Sequence, residues 1–203
     1  MRHLLIASAF LAALPICIAQ ASGEQAVIAT SLGDITIALD TDRAPKTVAN
    51  FWRYAEEGHY NGTVFYRVVP GALVQAGSYD ADGKPRGGIH APIAYEGNNG
   101  LKNVRGAVAM ARLDDPHSAT AEFFIDIAAL PSLDDTPDAK GYTVFGQVVS
   151  GMDVVDKIAA LPLGGVGPFE GAAPLTPVLI KSVVVKDAPP LPPVSNELPP
   201  GTH

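Results

Sequence analysis

The sequence contains a single cysteine, Cys17, among its 203 residues. One cysteine cannot form an internal disulfide, so burial of apolar side chains has to hold the fold together. Hydrophobic residues make up 47% of the chain, which is enough to build the core of one domain of ordinary size. The sequence shows no repeat of fixed period, which argues against a solenoid.

Positive charge is also scarce in this sequence. The chain has 14 lysine and arginine residues against 21 aspartate and glutamate residues, and its formal net charge is −7. Binding to nucleic acids or to anionic lipid depends on clusters of basic side chains, and the sequence has no such cluster. We therefore expect neither nucleic acid nor a membrane surface as a partner.

Several motifs of catalytic chemistry are missing as well. The five histidines have no metal-ligand spacing, and Asp134, Asp135 and Asp138 lack the alternation and the central glycine of a calcium loop. Residues 164–167 are glycine-rich but lack the lysine and hydroxyl residue of a phosphate loop. No serine lies in a nucleophile elbow. The sequence predicts no metal and no cofactor, and it gives no support for a hydrolase.

The N-terminus has the pattern of a secretory signal peptide. Arg2 and His3 precede the apolar run 4–18, and Ala19-Gln20-Ala21 offers a cleavage site. The apolar run is too short for an ordinary membrane span. We expect a signal peptide over residues 1–21, a periplasmic protein and no membrane attachment after cleavage. Lipidation of Cys17 is the alternative, but the residue before it is not small.

Most of the remaining chain has the period-two alternation of β-strands. We predict strands over 27–31, 34–39, 63–69, 73–76, 107–111, 123–128, 143–149 and 178–186. One helix is predicted from Pro45 to Gly58, with Trp52 in the core, and another up to Ala160, opened by a capping box at Ser150. Such a pattern indicates a mainly β fold, an antiparallel barrel or sandwich with added helices.

Two segments are predicted to have no regular structure. Residues 78–105 are polar and glycine-rich, and a loop of that length inside a compact domain is usually functional. After Asp187 the chain has six prolines in sixteen residues, so we expect residues 187–203 to form an extended, disordered tail. The folded domain is therefore predicted to span residues 22–186.

The segment 65–77 carries the clearest functional motif. It reads FYRVVPGALVQAG, two β-rich runs joined by Pro70-Gly71. The guanidinium of Arg67, placed within a strand, needs either a structural salt bridge or a groove that supplies acceptors. The segment resembles the F-H-R-x-x-P-G-F-x-x-Q-G-G signature of the cyclophilin family of peptidyl-prolyl cis-trans isomerases. Further similar blocks follow the family's order, and the resemblance covers roughly residues 26–186: 44–51, 99–106 with 109–112, and 118–125 with 142–146.

The resemblance, which is to the bacterial exported branch, implies a closed eight-stranded antiparallel β-barrel with an α-helix covering each end. It implies an isomerase that accelerates X–Pro bond rotation in exported proteins without a cofactor, acting as a monomer on proline-containing unfolded or extended polypeptides. Arg67 takes the catalytic position. The substrate-binding positions fall on Gln75, Leu73, Ala111, Arg112, Glu122, Phe124, Leu133 and Tyr142.

Three residues depart from the family's pattern. Ala72 stands where the signature has phenylalanine, Glu122 replaces the usual glutamine, and Ser132 replaces an aromatic residue. An aromatic wall contributes apolar contact worth a few kcal/mol, so its loss predicts a wider and weaker socket for proline. The alternative function is therefore a peptide-binding or chaperone module with weak or no isomerase activity.

The N-terminal pattern gives the first testable prediction. We expect the mature protein to begin at Ser22, because cleavage after Ala21 follows the small-residue rule of signal peptidases. Intact-mass spectrometry of the exported protein measures this directly. A lipid-bearing chain that starts at Cys17 would contradict the prediction.

Overall fold

The computed structural model describes residues 23–166, 168 and 171–186. The predicted signal peptide and the predicted proline-rich tail lie outside the described residues. Within the described part of the chain, no helix is both long and apolar enough to cross a membrane.

The described residues form eight strands, two α-helices and one short 3₁₀ helix, Pro131–Leu133. The predicted mainly β fold with two helices is confirmed. The helices are α1 (Pro45–Glu56) and α2 (Met152–Ala159). The strands are β1 (Gln25–Thr30), β2 (Gly33–Leu39), β3 (Thr63–Val69), β4 (Leu73–Asp80), β5 (Ala107–Met110), β6 (Phe123–Asp126), β7 (Val144–Ser150) and β8 (Ile180–Lys186).

All eight strands belong to one antiparallel sheet, in the order β3-β4-β6-β5-β7-β2-β1-β8. The sheet curls through 247° and stays open, so the predicted closed barrel is not confirmed. A single bridge, Val64 to Leu179, links β3 to the residue before β8. Further along β3, the Val68 amide donates to the Ala172 carbonyl. An irregular segment thus covers the edge of β3, where a closed barrel would need a continuous ladder.

The main core fills the concave face of this sheet. Phe51 of α1 lies at its centre, with ring centroids 5.2 Å from Tyr60, 5.6 Å from Phe123 and 5.3 Å from Phe145. The chain enters α1 from the end of β2 and α2 from the end of β7. Because β2 and β7 are antiparallel neighbours, the two helices start at opposite ends of the sheet.

The long loop 81–106 supplies the N-terminal cap of α1. No side chain at Ala44 caps this helix. The Glu96 carboxylate instead accepts from the amides of Lys46 (3.1 Å) and Thr47 (2.9 Å) and from the Thr47 hydroxyl (2.8 Å). These amides would otherwise lack intrahelical partners, and a carboxylate also favours the positive end of the helix dipole. Glu96 therefore fixes the loop to the domain.

Two predictions about the helices are wrong. The N-cap of α2 is Gly151, not Ser150, with a φ of 88° and no capping side chain. A Cβ at Gly151 would lie 2.2 Å from the Asp34 carbonyl oxygen. The close approach of these two backbone segments therefore requires glycine where α2 begins. Trp52 is only partly buried, and its indole donates to Glu56. Tyr54 occupies the core instead.

A carboxyl group without a partner lies at the end of β6. Asp126 is fully buried, and among the described residues neither of its oxygens has a hydrogen-bond partner. Burial, and secondly the charge of Asp134, raise the pKa of Asp126 to about 7. The folded protein therefore holds a proton on Asp126 at pH values where the unfolded chain releases it.

This burial predicts how stability depends on pH. Between a pKa of about 4 in the unfolded chain and about 7 in the folded protein, the folded state binds the extra proton. The free energy of unfolding should therefore fall as pH rises through this window, by up to roughly 4 kcal/mol from Asp126. Asp126→Asn removes that contribution. Urea unfolding from pH 4.5 to 8 should show the variant gaining stability relative to the wild type as pH rises.

The control for this prediction is Asp42→Asn, which neutralises an exposed carboxylate. Its stability should differ from that of the wild type by a small amount with little dependence on pH. A difference between Asp126→Asn and the wild type that stays constant over the whole pH range would contradict the assigned proton.

Candidate active site

The residues predicted for the site line one cavity of about 740 Å³. The cavity lies on the sheet face opposite the main core, above a second apolar cluster that includes Leu73, Phe124 and Val144. We call this cavity the groove. The structure brings all nine predicted side chains together in it: Arg67, Leu73, Gln75, Ala111, Arg112, Glu122, Phe124, Leu133 and Tyr142.

The hairpin of β3 and β4 places Arg67 opposite Gln75. Its turn runs through Pro70 and Gly71, and the φ of 75° at Gly71 is what the third position of a type II turn requires. The Ala72 amide closes the turn by donating to the Val69 carbonyl at 3.0 Å. The predicted strand, turn and strand are confirmed.

A β-bulge in β3 turns Arg67 towards the groove. Phe65 pairs with Ala76 and Arg67 pairs with Gln75, so Tyr66 is an extra residue on its strand. Phe65 and Val68 both point into the main core. Strict alternation would have put Arg67 on the same face as Phe65. The bulge instead leaves Arg67 half-buried at the groove wall.

A hydrogen-bond network joins Arg67 to Glu122. The Arg67 Nη1 donates to Gln75 Oε1 at 2.9 Å. The Gln75 Nε2 donates to the Tyr66 hydroxyl at 2.5 Å and to Glu122 Oε2 at 3.0 Å. The Tyr66 hydroxyl itself donates to Glu122 Oε2 at 2.7 Å. Because Gln75 is only 6% exposed, its amide depends on these protein partners.

Tyr66 is a site residue that the sequence analysis missed. Burial, and secondly the Glu122 charge, raise the pKa of Tyr66 well above its usual range. The phenol therefore stays protonated and can donate to the carboxylate. In a regular strand, Tyr66 would point to the face opposite that of its neighbour Arg67. The bulge changes the direction of Tyr66, and no local sequence signal marks the bulge.

An apolar wall stands beside the network. The rings of Phe124 and Tyr142 meet edge to face with centroids 5.4 Å apart. Leu73 and Leu133 extend this wall, and Ala111, whose side chain is small, packs against the same apolar cluster and also lines the groove. A small apolar ring can bind to such a surface by burying apolar area. The groove thus combines an apolar wall with a fixed cation.

Arg112 lines the groove, but its guanidinium holds two loops together. It donates to the backbone carbonyls of Leu113 (2.7 Å), Asp114 (3.1 Å), Lys140 (2.6 Å) and Gly141 (3.2 Å). It also lies 4.9 Å from the centroid of the Tyr142 ring. These contacts fix Tyr142 in the apolar wall.

The rim of the groove contains the predicted departures and several residues that the sequence analysis did not assign. Ser132 is exposed on the 3₁₀ helix, and Ala72 is half-buried beside the hairpin turn. Both line the groove, so the sites of the two missing aromatic rings do face the same cavity. The unassigned lining residues are Val69, Pro92, Leu113, Ser118, Thr120 and Leu130.

The described part of the chain contains no group of three histidine, cysteine, aspartate or glutamate side chains that could hold a metal ion. The groove offers hydrogen-bond donors, acceptors and apolar contact.

Most of the sequence is similar to that of proteins of known function. The cyclophilin type peptidyl-prolyl cis-trans isomerase/CLD family model matches residues 26–185. Peptidyl-prolyl cis-trans isomerase A of Dickeya dadantii is 43% identical over 159 residues, covering 78% of this chain and 83% of the relative. Peptidyl-prolyl cis-trans isomerase B of Escherichia coli is 45% identical over 161 residues, covering 78% of this chain and 97% of the relative.

The fold has a counterpart among solved structures. A cyclophilin type isomerase of Cryptosporidium parvum, crystallised in the presence of the dipeptide Ala-Pro, superposes with a TM-score of 0.66 at 22% identity. The match covers 81% of this chain and 99% of that chain, and it shows the fold. The family model and the bacterial relatives each span most of this sequence. The protein therefore belongs to the cyclophilin family of peptidyl-prolyl cis-trans isomerases.

Proposed function

We propose that the protein binds X–Pro segments of exported polypeptides in the groove and accelerates their isomerisation in the periplasm. It acts as a monomer, without a cofactor, on unfolded or extended chains, and so assists their folding. The observation that carries this proposal is the position of Arg67. Its guanidinium is held by Gln75 at 2.9 Å beside an apolar wall suited to a proline ring.

The reaction needs no bond to be broken. Amide resonance gives the peptide bond a rotational barrier of about 18–20 kcal/mol, and uncatalysed X–Pro exchange takes tens to hundreds of seconds. In the twisted state the prolyl nitrogen becomes pyramidal and regains a lone pair. A guanidinium directed at that nitrogen interacts more strongly with the twisted amide than with the planar one. This difference is the condition for raising the rate.

The required stabilisation is modest. Turnover of about 1–1,000 s⁻¹ from that uncatalysed rate needs roughly 3–7 kcal/mol of transition-state stabilisation. One preorganised donor contributes about 3–4 kcal/mol in comparable sites. Arg67 can therefore supply a large share, and binding of the proline ring against Phe124 and Tyr142 supplies orientation.

A second candidate function is a binding module with weak turnover. The observation that favours it is the rim, where Ala72 and Ser132 leave the groove without two aromatic side chains. A module of this kind would still bind extended peptides by apolar contact. Exchange rates on a short Ala-Pro peptide decide between the two functions, because a binding module that is weakly active or inactive changes those rates little or not at all.

The catalytic assignment predicts the effect of Arg67→Ala. Loss of the guanidinium should lower kcat/KM at least about tenfold, because one electrostatic donor to the transition state disappears. The fold should persist, since Arg67 lies at the groove wall and not in the core. NMR exchange spectroscopy on an Ala-Pro peptide measures the rate, and thermal unfolding checks the fold.

A matched control is Arg105→Ala, which removes an exposed arginine that pairs with Asp156 outside the groove. It should retain wild-type exchange rates. If Arg67→Ala also retains them in a folded protein, then Arg67 is structural and the proposed mechanism is wrong.

The rim predicts weak binding of cyclosporin, the cyclic peptide that occupies this groove in the family. Ser132 offers neither the ring area nor the N–H donor of an aromatic anchor. Loss of such an anchor costs about 2–4 kcal/mol, or roughly 30- to 1,000-fold in affinity. We expect weak inhibition of the wild type, and Ser132→Trp should restore part of the affinity in calorimetry. Ser150→Trp, exposed and outside the groove, is the control. Nanomolar binding to the wild type would contradict this account of the rim.

A further inference from the structure

We propose that Glu122 is a positioning residue, which holds Arg67 in place by fixing the orientation of the Gln75 amide. The inference rests on the proposed function, because the catalytic role of Arg67 is what the positioning serves. The family has glutamine at this position, so the proposed role of the carboxylate is specific to this chain.

The hydrogen bonds of the network run in one direction, from donors on Arg67 through Gln75 to acceptors on Glu122. Arg67 has only donors, and an ionised Glu122 has only acceptors. The amide of Gln75 lies between them and has both an acceptor, Oε1, and a donor, Nε2. Only one orientation of its amide serves both neighbours, with Oε1 towards Arg67 at 2.9 Å and Nε2 towards Glu122 at 3.0 Å. The carboxylate therefore determines which end of Gln75 faces Arg67.

Tyr66 reinforces that direction. Its hydroxyl accepts from Gln75 Nε2 at 2.5 Å and donates to Glu122 Oε2 at 2.7 Å. Gln75 Nε2 thus has two acceptors on the Glu122 side. Turning the amide over would place its oxygen against that carboxylate and its NH₂ against the guanidinium. Both contacts would then be repulsive, and the buried amide has little access to water.

A glutamine at position 122 would not impose this direction. Its side chain carries an NH₂ group as well as an oxygen, so it could also donate to Gln75 Oε1. Two amide orientations would then satisfy the 75–122 contact, and one of them removes the acceptor from Arg67. Tyr66, which stands where the family signature has histidine, supplies the donor that the carboxylate can use.

The test compares Glu122→Gln with Glu56→Gln, an exposed position on α1 outside the groove. We expect Glu122→Gln to lower kcat by about three- to tenfold with KM changed by less than about twofold. The reason is that a looser Arg67 affects the transition state more than substrate binding. Glu56→Gln should match the wild type. An unchanged kcat in folded Glu122→Gln would overturn the proposal.

A double-mutant cycle tests whether the effect runs through Gln75. In a Gln75→Ala background, Glu122→Gln should cause no further loss of kcat, because the link to Arg67 is already absent. Losses that multiply independently would show that Glu122 acts by another route, and they would overturn the proposal.

The Arg67 Nε–Hε resonance gives a readout that does not depend on activity. It should be a single sharp NMR signal in the wild type and in Glu56→Gln, and broadened or doubled in folded Glu122→Gln. An unchanged resonance in Glu122→Gln would overturn the positioning role whatever the rate. Wild-type exchange rates in Arg67→Ala would instead refute the proposed function, and the resonance would still decide whether Glu122 orders Arg67.

Discussion

The β-bulge at Tyr66 is the feature on which the groove depends. In a regular strand, Phe65 and Arg67 would share a face, and that face is the main core. A guanidinium there would have to be desolvated without compensation, which a fold of this size could not tolerate. The extra residue allows Phe65 and Val68 to fill the core while Arg67 reaches the opposite face. It also brings Tyr66 and Arg67 to the same partner, Gln75, which no regular strand permits.

The parts of the fold that surround the groove are held by polar contacts from distant segments. Glu96 ties the long loop to the start of α1, and Arg112 joins the loop after β5 to the segment before β7. Each contact satisfies backbone groups that would otherwise be unpaired near the surface. Irregular segments can therefore be ordered without strands of their own. The open edge of β3 follows the same principle, since residues 172–179 provide acceptors where a ladder is missing.

Much of the fold could be predicted from local patterns and from the four blocks that resemble the family. Alternation located the strands, Pro70-Gly71 located the turn, and the nine residues chosen from the resemblance all line the groove, although eight other lining residues were not among them. Two of the errors depend on contacts between segments far apart in sequence. The start of α2 depends on Asp34, and the open sheet depends on a segment that pairs with β3. The bulge could not be predicted from the sequence of β3 either, because it depends on how β3 pairs with β4.

Two carboxyl groups of this structure show how partners decide what an acidic residue does. Glu122 and Asp126 lie four residues apart on either side of Phe124, in or next to β6. Glu122 accepts from Tyr66 and Gln75, so its charge is part of a network that ends at Arg67. The carboxyl oxygens of Asp126 have no hydrogen-bond partner among the described residues, and burial raises the pKa of this group to about 7. A charged carboxylate therefore lies just before the start of β6, and at neutral pH the carboxyl group at the end of the strand is only partly ionised. Burial without a hydrogen-bond donor opposes the charged form of Asp126, whereas the donors that Tyr66 and Gln75 direct at Glu122 compensate the carboxylate for lost water.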